Sequence, residues 1–385
     1  MKRIMTGLKN MGSLLSKRFV AFREKEKSYF KSQASLTFVN EAIKTILIIV
    51  LCFVAVVTII SVASKDPISA LKAFFFGPFT DTYSIEQISE EALPLIFTGV
   101  AVCIMNKAGQ CNMFVEGGFF LGAFLSAWLA PELAGWPSAL IPLICIVTSA
   151  LASGLIGYLP AKMKSSLHIS EFVTSLMFNY IVFWVVMFLL HDFASDPDVA
   201  NKTKYLESFM KLPVLDEDTG FSIAIFVAIV VAVLGWVFIG KTVWGYRLRM
   251  TGDNEEFARY SGINTGRVIV SSQVIGAVIA GIGGAVLMLG GSRYYRFEWS
   301  SLPNYGFDGF VIAIMANNNP ILSIFASFFL GYLRVGASKM SVLSDVPDQV
   351  VYIIQALIII FFGAKLAIRF VKRRKQKASK KEVTP

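Results

Sequence analysis

Charge is scarce in this 385-residue chain: lysine, arginine, aspartate and glutamate together make up 16% of it, where a soluble domain carries about 25%. Histidine is rarer still. His168 and His191 are its two copies, and they do not form the HExxH pairing of a zinc protease. The four cysteines, Cys52, Cys103, Cys111 and Cys145, include no CxxC and no metal-ligand spacing, so they read as small apolar residues in helices. There is no GxSxG nucleophile elbow. The glycine-rich stretch GGSRYY at Gly290 lacks the Lys-Ser/Thr pair that a phosphate loop requires. Nothing in the chain reads as catalytic, and neither a metal nor a cofactor is expected in it. If its work consumes ATP, another chain binds the ATP and magnesium.

Apolar residues, by contrast, make up 55% of the chain, and its mean hydropathy is +0.63. They come in runs long enough to cross a bilayer, which takes about 20 residues of helix. Residues 45–64, 221–240 and 268–290 contain no charge at all. The runs are continuous rather than alternating, so the spans are helices and not strands of a barrel. The expected fold class is all-α, a polytopic helical membrane protein with about ten transmembrane segments. They fall at 45–64, 92–106, 114–130, 138–160, 171–190, 221–240, 268–290, 306–316, 320–337 and 349–370. The second and eighth are too short to cross alone at a rise of about 1.5 Å per residue. They are either extended by flanking polar turns or are broken helices buried in protein.

The net charge of +10 is distributed as in a membrane protein, not a nucleic-acid binder. Basic residues collect in 1–44 and 365–381, and acidic ones in 66–91 and 192–218. The positive-inside rule then places both termini, Lys162, Lys164 and the loop 240–264 in the cytoplasm and the acidic stretches outside. This requires an even number of spans. The domain plan is a basic cytoplasmic segment 1–44, a transmembrane domain 45–370 and a basic cytoplasmic tail 371–385 that meets lipid headgroups or is simply solvated. The first 44 residues are too polar for a secretory signal peptide.

Two features stand out within this plan. Asn112-x-x-x-Glu116-Gly117 is echoed by Asn304-x-x-x-Asp308-Gly309, five spans later and therefore in the opposite orientation, as inverted repeats require. Polar residues at membrane depth are costly and usually functional, which singles out Asn112, Glu116, Asn179, Asp308 and Gln355. Glu116 and Asp308 either cap broken helices, line a path or sit exposed in a loop. Asn179 makes either an inter-helix hydrogen bond or a solute contact. Gly276, Gly281, Gly283 and Gly284 point to close helix packing. The second feature is the loop 240–264, GKTVWGYRLRMTGDNEEFARYSGIN. Asp253 or Asn254 can cap a helix there, Glu256 stands at capping-box spacing from Asp253, and Gly262 can end the helix. Phe257 and Tyr260 share one side of it. Such a helix either lies on the membrane or docks into a groove on a partner.

Glu256-Phe257-Ala258-x-x-x-Gly262 resembles a degenerate form of the EAA-x-x-x-G loop by which ABC importer permeases dock onto their ATPases. Arg249, Gly252 and Asn254, followed by Ala258-Arg259-Tyr260-Ser261-Gly262-Ile263-Asn264, resemble the ribose-permease-like family. So do Pro94-Leu95, Gly99, Ala101, Gly109, Asn112, Glu116-Gly117 and Gly122-Ala123. The run Glu171 to Tyr180 is similar to that of the nucleoside-importer branch, and Tyr305-Gly306-Phe307-Asp308-Gly309, Asn318-Asn319-Pro320 and Gln355 match later blocks. The resemblance covers about residues 91–362. Cys111 and Met113-Phe114-Val115 depart from the smaller residues usual around Asn112, which bears on the pore and not on the family.

The resemblance implies a bacterial cytoplasmic-membrane permease subunit of an ATP-driven ABC importer for a nucleoside-like or simple-sugar-like solute. Its partners would be a second permease subunit, homologous or identical, an ABC ATPase, an extracytoplasmic solute-binding lipoprotein and the lipid bilayer, with no nucleic acid. The ATPase-coupling residues would be Arg249, Gly252, Asp253, Asn254, Glu256, Phe257, Ala258, Tyr260 and Gly262. The competing reading is an ion-gradient-driven secondary transporter, which inverted repeats and intramembrane carboxylates suit equally well.

Overall fold

The computed structural model describes residues 64–346 other than 168, 215–221 and 293, with isolated positions between 54 and 61 and between 353 and 357. Both basic termini, Gln355 and nearly all of the first and tenth expected spans fall outside the described residues. The described helices are α1 (Pro67–Phe76), α2 (Thr82–Lys107), α3 (Val115–Glu132), α4 (Leu140–Leu167), α5 (Glu171–Leu189), α6 (Ala224–Lys241), α7 (Val243–Asp253), α8 (Glu255–Tyr260), α9 (Thr265–Gly290), α10 (Tyr305–Met315) and α11 (Pro320–Leu343). A small antiparallel pair, β1 (Ser195–Asp196) and β2 (Val199–Thr203), lies between α5 and α6.

Six of these helices (α2, α4, α5, α6, α9 and α11) are long and apolar enough to cross a membrane. The chain is a polytopic helical membrane protein. One expectation is resolved and refined: the second span is not a short fragment, because α2 starts at Thr82 and runs for 26 residues. Its polar first turns are helical because other elements satisfy them. Ser292 donates to Glu90 at 2.8 Å, and Arg334 pairs with Glu91 at 3.4 Å. The acidic stretch 66–91 is accordingly not one loop, since α1 and the start of α2 occupy it. The eighth segment does remain short, as the 11-residue α10.

Two helices form the centre. In α2 and α9 83% and 78% of the apolar window is buried, against 28% in α6. They run antiparallel, with Phe97 against Gly283 and Met105 against Gly276. On α9, α3 lies parallel, Gly118 meeting Ala277 and Gly122 meeting Gly281, and α4 lies antiparallel, Gly157 meeting Ala277 and Ser153 meeting Gly281. On α2, α10 lies parallel, with Gly309 on Thr98 and Ile312 on Gly99, and α11 lies antiparallel, with Ser323 near Gly99 and Gly331 near Ala92. Exchanging α2 with α9, α3 with α10 and α4 with α11 maps this set of neighbours and directions onto itself. The antiparallel central pair puts the exchange axis across the helices, which is the geometry of an inverted repeat.

The central packing depends on small residues. A Cβ on Gly122 would lie 2.2 Å from the Gly281 carbonyl oxygen, and one on Gly284 2.0 Å from that of Phe119. Ser149 and Ser153 of α4 donate to the carbonyls of Gly122 and Gly118 at 3.0 and 2.9 Å. Close backbone approach and inter-helix hydroxyl bonds hold helices together where no hydrophobic drive separates protein from lipid. In α6 the buried face is the stripe Ala224, Ala228, Ala232, Gly235 and Ile239, at helical spacing, while Phe226, Val230, Val233 and Leu234 face outward.

Candidate functional site

An α-helix leaves its first N–H groups without intrahelical partners, and at membrane depth no water is available to take them. The starts of α3 and of the short α10 pose this problem, and side chains from outside each helix solve it for both. At the start of α3, Asn112 Oδ1 accepts from the Phe114 N–H at 2.7 Å, Ser175 Oγ from Met113 at 2.9 Å and Asn179 Oδ1 from Gly117 at 3.0 Å. Asn179 Nδ2 also donates to the Met113 carbonyl at 2.9 Å. Ser175 and Asn179 are four apart on α5, so one helix face presents both. The open choice for Asn179 thus includes at least an inter-helix bond.

At the start of α10, Asn304 sits in the left-handed region with φ 66° and its side chain makes no cap. Glu116, from α3, does the work: its two carboxylate oxygens accept from the N–H groups of Asn304, at 2.6 Å, and Gly306. A Cβ on Gly306 would lie 2.4 Å from the Glu116 nitrogen, so only glycine lets the two helix starts meet. An anion between two helix N-termini is also favoured by both dipoles. Asp308, one turn into α10, pairs with Arg334 of α11, which also reaches Glu91 of α2. Glu116 is fully buried and Asp308 nearly so.

Asn112, Glu116, Asn179 and Asp308 are therefore brought together around the meeting of α3 and α10. The sequence reading missed three partners. Gln273 of α9 accepts from Asn112 Nδ2 at 2.5 Å, and its signal was a lone amide in an uncharged run. Arg334 was the lone cation within the ninth span, and Glu91 was assigned to a loop.

The second constellation is 240–264, which holds two helices rather than one. At the α6–α7 corner Thr242 caps α7 through the Gly245 N–H at 3.0 Å, and Arg249 donates to the Ile239 carbonyl near the end of α6. Gly252 packs on the turn that ends α2: a Cβ there would lie 2.2 Å from the Lys107 oxygen. Asn254, not Asp253, caps α8, accepting from the Phe257 N–H at 3.1 Å, so Asp253 ends α7. The capping box from Asp253 to Glu256 is thereby corrected; Glu256 is instead an exposed acid in the first turn of α8. Gly262, with φ +83°, ends α8. Asn264 then caps α9 through the Arg267 N–H at 3.0 Å. Ala258 is buried, whereas Phe257 and Tyr260 are 56% and 91% exposed. The result is a stiff, fully capped lever with an aromatic tip. It touches the 107–109 turn, from which the chain passes through Asn112 to the start of α3.

Residues 84–363 match the family described as branched-chain amino acid transport system / permease component. The chain belongs to this permease family. The guanosine ABC transporter permease protein NupP of Bacillus subtilis is 29% identical to this chain over 86% of it and 95% of its own length. The nucleoside ABC transporter permease protein NupB of Lactococcus lactis is 25% identical over 83% and 90%. The glucose ABC transporter permease protein TsgB13 of Haloferax volcanii is 29% identical over 80% and 82%. No solved structure matches. The matched region spans α2 to α11, so it contains both the meeting of α3 and α10 and the capped lever.

Proposed function

We infer that this chain is the membrane-spanning permease subunit of an ATP-driven importer, and that its solute is nucleoside-like. The observation that carries the transport reading is the α7–α8 lever. Among the described residues no groove covers the exposed Phe257 and Tyr260, while the helix ends around them are capped. An element that is rigid yet presents bare aromatics is built to dock. An ion-coupled transporter has no use for it. The nucleoside reading is supported by relatives named for guanosine and nucleosides and by the Glu171–Tyr180 run, whose Ser175 and Asn179 hold the start of α3.

The proposed working cycle is mechanical. An ATPase grips α8; its closure on ATP moves the lever, and Gly252 passes the motion to the 107–109 turn. That turn leads to α3, and the Glu116 carboxylate ties α3 to α10. A unit with two discrete arrangements, biased by ATP on one side and by loaded receptor on the other, suffices for alternating access. The proposed partner in the membrane is a second permease subunit, homologous or identical; a homologous one is supported by two guanosine ABC transporter permease proteins of Bacillus subtilis, NupP and NupQ, that both resemble this chain.

Orientation is part of the proposal. The basic termini and the lever face the cytoplasm, and the connection carrying β1 and β2 faces outward. In a cysteine-free background, an impermeant maleimide added to intact cells is expected to label Ser208→Cys and to miss Ser379→Cys. Labelling of position 379 would reverse the topology. The solute reading is checked by uptake of tritiated guanosine, cytidine and glucose in cells with and without this gene product. Loss of nucleoside uptake alone is expected; loss of glucose uptake alone would move the chain to the sugar branch.

A further inference from the structure

Beside the meeting of α3 and α10 lies a cavity of about 250 Å³, close to the lower end of the roughly 300–1,000 Å³ of small-molecule clefts. Three aromatic side chains, Tyr180, Phe183 and Phe307, line it together with Asn179, Asn304 and Ser301. We propose that this cavity is a nucleobase-stacking subsite on the translocation path, selective for an uncharged nucleoside. The proposal rests on the nucleoside reading above and extends it to a place and a charge state.

The wall is aromatic and braced. Phe183 packs on Phe120 at 5.6 Å, and Phe120 packs on Phe297 at 5.2 Å and on Trp299 at 6.2 Å. Flat π-faces suit flat heterocycles, and stacking on them tolerates any base. The polar groups are placed to read the rest of the ligand. Asn179 is already committed to Gly117 and Met113. Within the described residues the side chains of Asn304 and Ser301 and the Tyr180 hydroxyl have no hydrogen-bond partner, which leaves them free for ribose hydroxyls or base edges.

Charge selects against phosphate. Among the described residues, no ionisable group other than the Tyr180 phenol lines the cavity. The start of α10 beside it would ordinarily attract an anion. Here the Glu116 carboxylate already holds the Asn304 and Gly306 N–H groups, so the anion site is filled from within. A nucleoside monophosphate would find these N–H groups already taken and no cation in the lining to pair with its phosphate. The cavity also bridges α5, which holds the start of α3, and the start of α10, so any movement of α3 against α10 reshapes it.

The test uses the complete importer complex containing this chain, reconstituted in proteoliposomes with ATP inside and loaded receptor outside. Tritiated guanosine uptake by wild-type complex is measured first; its absence would remove the nucleoside reading itself. With uptake established, 8-azidoadenosine is photolysed on the complex and the adducts are mapped by mass spectrometry. Adducts at 176–183 or 301–307, reduced by guanosine but not by guanosine monophosphate or glucose, are expected. Loss of one aromatic face in Phe307→Ala or Tyr180→Ala is expected to raise the nucleoside KM about tenfold, and Tyr180→Phe to restore most of the difference. Active uptake with no adduct in either segment, an unchanged KM in both alanine variants, or equal competition by the monophosphate would overturn the subsite.

Discussion

Phe257→Asp is expected to release the ATPase from the membrane subunit while leaving that subunit folded. Phe257 is more than half exposed and Tyr260 almost wholly so, and neither supports the chain's own core. The buried contact of α8 is Ala258, and the caps are Asn254 and Gly262, none of which the substitution touches. An aromatic anchor buried in an interface is often worth about 2 kcal/mol or more, about thirtyfold in affinity. Placing a carboxylate in the same groove adds a desolvation cost to the lost contact. Co-purification with the ATPase should therefore fall by at least about thirtyfold in apparent affinity, and solute-stimulated ATP hydrolysis should fall with it, at unchanged membrane abundance. Retention of the ATPase at the wild-type ratio with coupled hydrolysis would show that α8 is not the docking element.

Glu116→Gln is expected to abolish most uptake while leaving most of the protein in the membrane. Both carboxylate oxygens accept backbone N–H groups of α10. A glutamine offers one oxygen and turns an NH₂ toward the other N–H, so one buried donor loses its acceptor and faces a second donor. Hydrogen bonds to charged groups contribute about 1.5–3 kcal/mol each, enough to loosen one joint without unfolding a bundle whose centre is the α2–α9 pair. Asp308→Asn acts on the other side of the same helix by leaving Arg334 with Glu91 as its one charged partner among the described residues. Breaking a buried ion pair costs roughly 3–5 kcal/mol, so this variant should lose both uptake and some abundance. Uptake and membrane abundance measured side by side decide the matter, and normal uptake in both variants would show that the joint between α3 and α10 does not carry transport.

Helix identity was legible because apolar runs and their glycines are local signals. The stretch 268–290 announces α9, and its glycines are the residues that meet α2, α3 and α4. The echo of Asn112–Gly117 in Asn304–Gly309 foresaw the inverted repeat. What it could not give was asymmetry. Glu116 caps the other copy's helix, whereas Asp308 turns to Arg334, because the cap of a buried helix is a long-range contact and no spacing rule reaches across 188 residues. Hydropathy ended the second span at about Ala92, since it counts Glu86, Glu90 and Glu91 as polar whether or not a neighbour satisfies them. Asp253 and Asn254 are both good caps, and the choice fell to Asn254 because Asp253 is held as the last residue of α7.

Energy source separates an ATP-driven permease from an ion-coupled carrier, and it can be read in proteoliposomes holding the complete complex with loaded receptor outside. Uptake of tritiated guanosine is expected to require ATP and magnesium inside the vesicle, to persist when ionophores collapse every ion gradient, and to stop in Phe257→Asp. Uptake that proceeds without ATP and follows an imposed proton or sodium gradient would contradict the assignment of this chain to an ATP-driven importer.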